Sequence, residues 1–201
     1  DGSSVHVVGY NQGIFQYNMS TANNISTMSY ANKTFDTDSV TSSTRGAFPK
    51  PDGTKLYVVG DSEAVFQYSF GTAWDISTLS FDSVTFDLSS QISTNNPDDV
   101  TFNSDGTRMF VINRGQDTVY QYNLSTGWDL STASYSNVSF VHSSQSATPS
   151  GIAFNSNGQK MYILDAGRTV YQYSTSQAVS NITIDCETAM NLLRPFRSMI
   201  F

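Results

Sequence analysis

The stretch "DGTKLYVVGDSEAVFQY", residues 52–68, contains two short apolar runs separated by polar turn residues. An Asp-Gly pair opens the stretch, the run "KLYVVG" follows, and the second run ends in the triplet "FQY" at 66–68. In "KLYVVG" both alternating sets of residues are apolar, which favours a strand covered on both faces. The stretch therefore predicts two antiparallel strands inside a layered all-β structure.

The triplet recurs through the chain, as FQY at 15–17 and as YQY at 120–122 and 171–173. The turn pairs recur with it, as Asp-Gly at 105–106 and Asn-Gly at 157–158. We align Phe48, Phe102 and Phe154 as equivalent positions, 54 and 52 residues apart. The third unit contains four strand-like segments, "DDVTF", "TRMFVIN", "TVYQYNL" and "ASYSNVSFV". Four antiparallel strands in a repeat of about fifty residues are typical of a β-propeller blade.

We predict one domain over residues 1–201, an all-β propeller of four blades of about 50 residues each. The blade repeats are placed at 1–43, 44–97, 98–149 and 150–196, with a closing strand at 197–201. The first unit has no first strand, so "SMIF" is expected to pair with "SSVHVVG" and close the ring, which removes exposed sheet edges. The alternative is that this strand is donated to a neighbouring copy, which makes a filament by strand exchange.

The units resemble the YVTN-type, lactonase-like β-propeller repeats of surface-layer and lactonase-like proteins. The resemblance lies in the Asp-Gly turn, the strands "KLYVVG", "RMFVIN" and "KMYILD", and the aromatic strand "TVYQY", and covers about residues 1–175. The units here are longer, and the excess lies in segments such as "STGWDLSTASY". The resemblance implies a propeller fold. It also suggests that the chain is either a surface protein or a lactonase-like enzyme. The Trp-Asp pairs at 74–75 and 128–129 have no Gly-His partner, so WD repeats are rejected.

A glutamine lies between two aromatic residues in all four copies of the triplet, at Gln16, Gln67, Gln121 and Gln172. A buried amide without partners costs about 1–3 kcal/mol, so these side chains need hydrogen bonds. We interpret them as structural groups that bond to the backbone of the next blade. The alternative is a polar lining for a ligand channel.

The composition excludes several classes of partner. The chain has 10 Lys and Arg against 17 Asp and Glu, for a net charge of −7, which argues against nucleic acid. It has no run of eighteen apolar residues, so no membrane span is expected. Charged residues make up only 13% of the chain, and Ser and Thr are abundant. This composition favours an extracellular protein, on a cell surface or a virion.

Catalytic motifs are absent from the sequence. We interpret His6 as a packed strand residue and His142 as a solvated one, and neither has a Ser or Cys partner in a triad motif. Zinc spacing is missing, and Asp98 and Asp99 lack the ligand run of a calcium loop. We therefore expect no enzyme, no metal and no cofactor.

In a propeller, the loops between the second and third strands lie at one mouth of the central channel, where binding residues are commonly held. Such loops supply the candidate ligand-binding residues Asn11, Asp61, Glu63, Asn113, Arg114, Asp117, Asp165 and Arg168. The alternative is that they are ordinary polar loop residues. Six Asn-X-Ser/Thr sequons are candidate glycosylation sites, at Asn18, Asn24, Asn32, Asn123, Asn137 and Asn181. We place all six in strand d, the outermost fourth strand of a blade, or in the loop before it.

The sequence thus predicts a non-enzymatic recognition or adhesion module that binds a glycan or protein ligand at its loop face. Two alternatives stay open. The first is a self-assembling structural subunit of a surface layer, filament or virus particle. The second is a lactonase-like hydrolase, which the resemblance suggests and the missing catalytic groups oppose.

Overall fold

A computed structural model describes residues 2–10, 12–93, 97–175 and 182–184. Within these ranges the chain forms four antiparallel sheets, in which each strand pairs with the next along the chain. Sheet 1 consists of β1 (Ser4–Gly9), β2 (Gly13–Met19) and β3 (Met28–Phe35). Sheet 2 consists of β4 (Thr44–Pro49), β5 (Lys55–Gly60), β6 (Ala64–Phe70) and β7 (Leu79–Asp87).

Sheet 3 consists of β8 (Pro97–Phe102), β9 (Arg108–Asn113), β10 (Thr118–Leu124) and β11 (Ala133–Val141). Sheet 4 consists of β12 (Pro149–Phe154), β13 (Lys160–Asp165), β14 (Thr169–Ser174) and β15 (Ile182–Ile184). The first strands of sheets 2, 3 and 4 lie side by side, and β1 contacts β4. The four strands predicted for the third unit therefore match the four strands of sheet 3.

Short 3-10 helices precede the last strands of sheets 1, 2 and 3, at Ile25–Thr27, Ile76–Thr78 and Leu130–Thr132. A fourth, Arg114–Gln116, lies between β9 and β10. In the described part of the chain, no helix is long and apolar enough to cross a membrane.

The Trp-Asp pairs have a structural role at two of these helices. Asp75 and Asp129 cap them, and each carboxylate accepts the backbone N–H two residues later, at 3.1 Å. Trp128, just before its Asp, has a left-handed backbone with φ of 67°. Its indole covers the turn at Gly106, where any Cβ would collide with the ring.

Neighbouring sheets pack through both faces of their strands. Leu56 and Val58 in β5 pack toward sheet 1 with Ile14. Tyr57 and Val59, which alternate with them, pack toward sheet 3. The prediction that this strand is covered on both faces is confirmed.

Two of the glutamines join neighbouring sheets as predicted. Gln16 Oε1 accepts the backbone N–H of Ile76 at 3.1 Å, and Gln67 Oε1 accepts that of Leu130 at 3.0 Å. Both glutamine side chains are buried. Each bond runs from the middle strand of one sheet to the 3-10 helix of the next, so the amide ties two sheets together.

A second polar link repeats at the same interfaces. His6 Nε2 lies 3.1 Å from the carbonyl oxygen of Trp74, and Tyr57 donates its hydroxyl to the carbonyl of Trp128 at 2.5 Å. His6 and Tyr57 hold the same position in β1 and β5, opposite the strand-centre glutamine. Each of these two interfaces therefore has the same pair of hydrogen bonds.

The strand register corrects one equivalence drawn from the sequence. Phe48 lies opposite Tyr57, whereas Phe102 lies opposite Met109, which corresponds to Leu56. Pro49 is the partner of Leu56, so Pro49 and not Phe48 is equivalent to Phe102. The phenylalanine pattern was misleading because a similar side chain recurs one position out of register.

The described residues do not form a closed ring. Val7 in sheet 1 and Leu164 in sheet 4 are exposed, although these two faces would meet in a ring of four blades. The predicted closing strand, 197–201, lies outside the described residues, as does the segment needed for strand exchange. Four packed sheets are therefore established, whereas a four-bladed ring that closes on itself is not found among the described residues.

Candidate functional site

The first strand of sheets 2, 3 and 4 is interrupted by a β-bulge at the same register. The bulges lie between Thr44 and Gly46, between Pro97 and Asp99, and between Pro149 and Gly151. A bulge inserts one residue and re-aims its side chain, and bulges are common beside functional sites. The inserted residues are Arg45, Asp98 and Ser150, and all three line one pocket.

This pocket, which we call the axial pocket, has a volume of about 200 Å³ and receives residues from all four sheets. Its lining consists of Val8, Tyr10, Thr44, Arg45, Asp98, Arg114 and Ser150. A second cavity of about 240 Å³ lies at the end of β3 and is lined by Gln12, Thr34, Phe35, Asp36 and Asp38. Of these two cavities among the described residues, the axial pocket is the one lined by charged groups from different sheets.

Two arginines and two aspartates form a connected network at the axial pocket. Arg45 Nε lies 2.5 Å from Asp61 Oδ1, and Arg45 Nη1 lies 3.3 Å from Asp98 Oδ1. Arg114 Nη2 lies 3.0 Å from the same oxygen of Asp98, and the backbone N–H of Arg114 donates to Asp98 Oδ2 at 3.1 Å. Asp98 is thus bonded on both oxygens, which leaves it poorly suited to bind calcium.

The network holds charge in a partly buried setting. Burial raises the pKa of Asp98, although Arg114 and Arg45 favour its charged form. Burial also disfavours the charge of Arg45, but the carboxylates of Asp61 and Asp98 outweigh it and raise the pKa of that guanidinium. Arg45 stays positive and lies 5.2 Å from the ring centre of Tyr10, a cation–π distance.

The axial pocket can make several kinds of polar contact. Tyr10 is exposed, and the Arg114 side chain is partly so. Guanidinium groups present forked donors, and carboxylates and hydroxyls present acceptors. The opposite charges nearly balance, so the arrangement suits a hydroxyl-rich ligand better than a highly charged one.

Asp99 lies next to the axial pocket and connects sheets. Its carboxylate accepts the N–H groups of Val100 at 2.9 Å and of Ile152, in sheet 4, at 3.0 Å. Gly46 and Gly151 hold the same register in the adjacent sheets, and a Cβ at Gly46 would collide with Asp99. Burial raises the pKa of Asp99 to about 7, although both N–H bonds favour the charged form.

The shifted pKa predicts how stability depends on pH. Folded Asp99 keeps its proton up to about pH 7, whereas the unfolded chain releases it near 3.8. The folded state therefore binds more protons between these values, and the contribution of Asp99 to the free energy of unfolding falls as pH rises from about 4 to 7. We expect Asp99→Asn to remove this decline.

The measurement is urea unfolding of both proteins at pH 4.5, 5.5, 6.5 and 7.5. The stability of the wild type relative to Asp99→Asn should fall steadily across the series. An unchanged difference would show that Asp99 is already charged at pH 4.5 in the folded protein.

No protein-family model matches the chain, and no curated protein matches it. Solved structures are similar in shape. One is a protein of Bacteroides uniformis assigned as a 6-phosphogluconolactonase, at 11% identity and a TM-score of 0.58, with 91% of this chain and 54% of that chain covered. Another is the Swd1 β-propeller domain of Myceliophteria thermophila, at 8% identity and a TM-score of 0.56, with 92% and 56% covered.

A third is the periplasmic gluconolactonase of Pseudomonas aeruginosa, at 13% identity and a TM-score of 0.54, with 92% of this chain and 52% of that chain covered. The fold is that of a β-propeller. Identities this low carry no statement about activity. The chain spans about half the length of the solved structures that it matches.

Two of the predicted site residues belong to the axial pocket network. Arg114 lines the pocket, and Asp61 pairs with Arg45 at its edge. Asn11 lies outside the described residues. The other five predicted residues do not line the pocket: Glu63, Asn113, Asp117, Asp165 and Arg168.

Two of those five have visible structural roles. Asn113 is fully buried at the end of β9. Asp165 accepts the hydroxyls of Ser146 and Thr148 at 2.5 and 3.1 Å, and so holds the loop before sheet 4. Asn113 is therefore closed to solvent, and Asp165 serves the loop itself, which is the alternative left open by the sequence.

The predictions for the two histidines have different outcomes. His6 packs between strands as predicted, and burial lowers its pKa. The prediction that His142 is solvated is wrong, because its side chain is fully buried and its Nδ1 lies 3.0 Å from the carbonyl oxygen of Ser146. Burial also lowers the pKa of His142, which favours the neutral ring.

The predicted glycosylation sites are placed as follows. Asn32 and Asn137 are exposed in β3 and β11, at equivalent bulges with φ of 54° and 59°. Asn24 caps a 3-10 helix through its side-chain oxygen. Asn18 and Asn123 lie in the middle strands β2 and β10, which corrects their predicted placement in strand d or its loop. Asn181 lies outside the described residues.

Sequence reasoning missed Tyr10, Arg45 and Ser150 as pocket residues and treated Asp98 only as a weak calcium candidate. Arg45, Asp98 and Ser150 are equivalent once the strands are aligned by their pairing. The phenylalanine alignment placed Arg45 one position out of register with Asp98. An alignment on the Asp-Gly turns would have brought these residues together.

Proposed function

We propose that this propeller is a non-enzymatic recognition module, exposed outside the cell or on a virion, that binds a glycan at the axial pocket. One observation carries the proposal. Bulges at one register in three sheets aim Arg45, Asp98 and Ser150 into a single pocket beside the exposed ring of Tyr10. Each bulge interrupts the hydrogen-bonded pairing of its strand. A purely structural role does not require this interruption at the same register of three sheets.

The chemistry of the pocket supports a sugar ligand. A sugar ring has apolar faces that pack on aromatic rings and hydroxyls that bond to planar, forked groups such as guanidinium and carboxylate. Tyr10 and Arg114 supply both kinds of contact at the open side of the pocket. A volume of about 200 Å³ suits the terminal sugar of a glycan better than a large cofactor.

Glycan-array binding tests the proposal, with wild type, Tyr10→Ala and Arg114→Ala compared on the same array. We expect the wild type to bind a defined set of glycans and both variants to lose at least tenfold in affinity, about 1.4 kcal/mol. The matched control is Arg108→Ala, because Arg108 is an exposed arginine at the opposite end of β9. Arg108→Ala should bind like the wild type.

Two outcomes would contradict the proposal. Glycan binding that survives in both pocket variants would place the ligand elsewhere. Hydrolysis of a lactone by the wild type, lost in Arg114→Ala but kept in Arg108→Ala, would favour a lactonase-like hydrolase instead.

A further inference from the structure

The interfaces between neighbouring sheets follow one pattern, in which the second sheet presents apolar side chains to the first. Ile76 and Leu130 begin the 3-10 helices of sheets 2 and 3, and they are 0% and 1% exposed. Val58 and Val111, in the second strands of the same sheets, are both 0% exposed. Each of these side chains is covered by the preceding sheet.

In sheet 1 the same positions are exposed among the residues that the structure describes. Ile25, equivalent to Ile76, is 65% exposed, and Val7, equivalent to Val58, is 42% exposed. Met28 is 41% exposed, whereas its equivalent Leu79 is 8% exposed. We call this surface the leading face. It corresponds to the surface that sheet 2 buries against sheet 1.

In sheet 4 the complementary positions are likewise exposed within the described part of the chain. Leu164 is 43% exposed, whereas Val59 and Ile112, at the same position in sheets 2 and 3, are 0% exposed. Gln172 is only partly buried, whereas Gln67 is buried against Leu130. We call this surface the trailing face. Both faces contain large apolar side chains that soluble proteins usually cover.

We propose that two copies of this chain join head to tail, with the trailing face of each on the leading face of the other, and close one propeller ring. The interface needs no new chemistry, because each internal junction already shows how such faces fit. Asn24 caps its 3-10 helix as Asp75 does. Gln172 of one copy would then accept the N–H of Ile25 in the other, as Gln16 accepts that of Ile76.

A second copy is the occupant favoured by the match between the two faces. The partner of the leading face must present a strand-centre glutamine beside an apolar residue, and the trailing face of this same chain does so with Gln172 and Leu164. A head-to-tail contact that closes after two copies gives a discrete dimer and not a filament.

The test is the mass in solution, measured by sedimentation equilibrium over a range of concentrations. The wild type should reach twice the 22.0 kDa mass of one chain. Ile25→Arg on the leading face and Leu164→Arg on the trailing face should each be monomeric. Val141→Arg changes an exposed apolar residue on neither face and should remain a dimer.

Mixing the two monomeric variants gives the decisive result. One intact trailing face and one intact leading face remain in the mixture, so Ile25→Arg and Leu164→Arg should form a 1:1 open dimer. Circular dichroism of each variant checks that it is folded. The proposal is overturned by a wild type that stays monomeric, by polymers larger than a dimer, or by a mixture that does not associate.

Discussion

Replacing Trp128 with alanine is expected to lower the free energy of unfolding by about 3–5 kcal/mol. The indole lies between sheets 2 and 3, with its ring centre 6.3 Å from those of Phe48 and Tyr57 and 5.3 Å from that of Phe102. It also covers the turn at Gly106. Removing it opens a cavity at the junction of the sheets and uncovers that turn.

Urea unfolding measures this loss, and two variants control it. Trp128→Phe keeps an aromatic ring in the interface and should lose less than half as much. Val141→Ala shortens an exposed side chain and should stay within about 0.5 kcal/mol of the wild type. A loss below about 1 kcal/mol for Trp128→Ala would mean that the indole does not stabilise this junction.

Replacing Gln67 with leucine is expected to cost about 1–3 kcal/mol. Gln67 accepts the N–H of Leu130 at 3.0 Å and donates to Asp82 Oδ2 at 2.8 Å. Leucine is similar in size but cannot bond, so a buried N–H is left without its acceptor. Asp82 keeps its bonds from Ser69 and Lys55, so the larger part of the cost comes from Leu130.

The matched control is Gln121→Leu, which makes the same change at the same register of sheet 3. Gln121 is only partly buried, so water replaces lost hydrogen bonds there more easily. Its cost should be below about 1 kcal/mol. Equal losses in the free energy of unfolding for the two variants would show that the amide hydrogen bond of Gln67 does not account for the cost.

These two variants test links that the repeat uses more than once. Gln16 with Ile76 and Gln67 with Leu130 are the same bond at successive junctions. If the proposed dimer forms, Gln172 makes the bond again between copies. Stability within the chain and association between chains then depend on the same residues.

Much of the fold follows from the sequence, because its signals are local. The apolar alternation in "KLYVVG", the Asp-Gly turns and the spacing of the triplets predict strands, turns and repeat length, and each depends on residues close together in the chain. The structural role of Gln16 and Gln67 was also predictable, since an amide between two packed faces must find a partner.

The candidate site was only partly predictable. Arg114 and Asp61 belong to loops whose place in a propeller is known from the repeat alone. Arg45 and Ser150 belong to strands, and their side chains reach the axial pocket only because each strand bulges. A bulge depends on pairing with the next strand, and it leaves no clear mark in the sequence. The burial of His142 was missed for a similar reason, because the loop that encloses it returns after the strand has ended.

The sequence by itself therefore determined that the chain folds into repeated four-stranded units with interlocking faces, because periodicity and turn residues act over a few positions. Tertiary structure alone decided which side chains meet at the axial pocket, since Tyr10 comes from the turn after β1 and Arg45, Asp98 and Ser150 come from three other sheets. It also decided that Ile25 and Leu164 are exposed while their equivalents are buried. Equivalent residues look alike in the sequence, and only the packing of whole sheets determines which of them are covered.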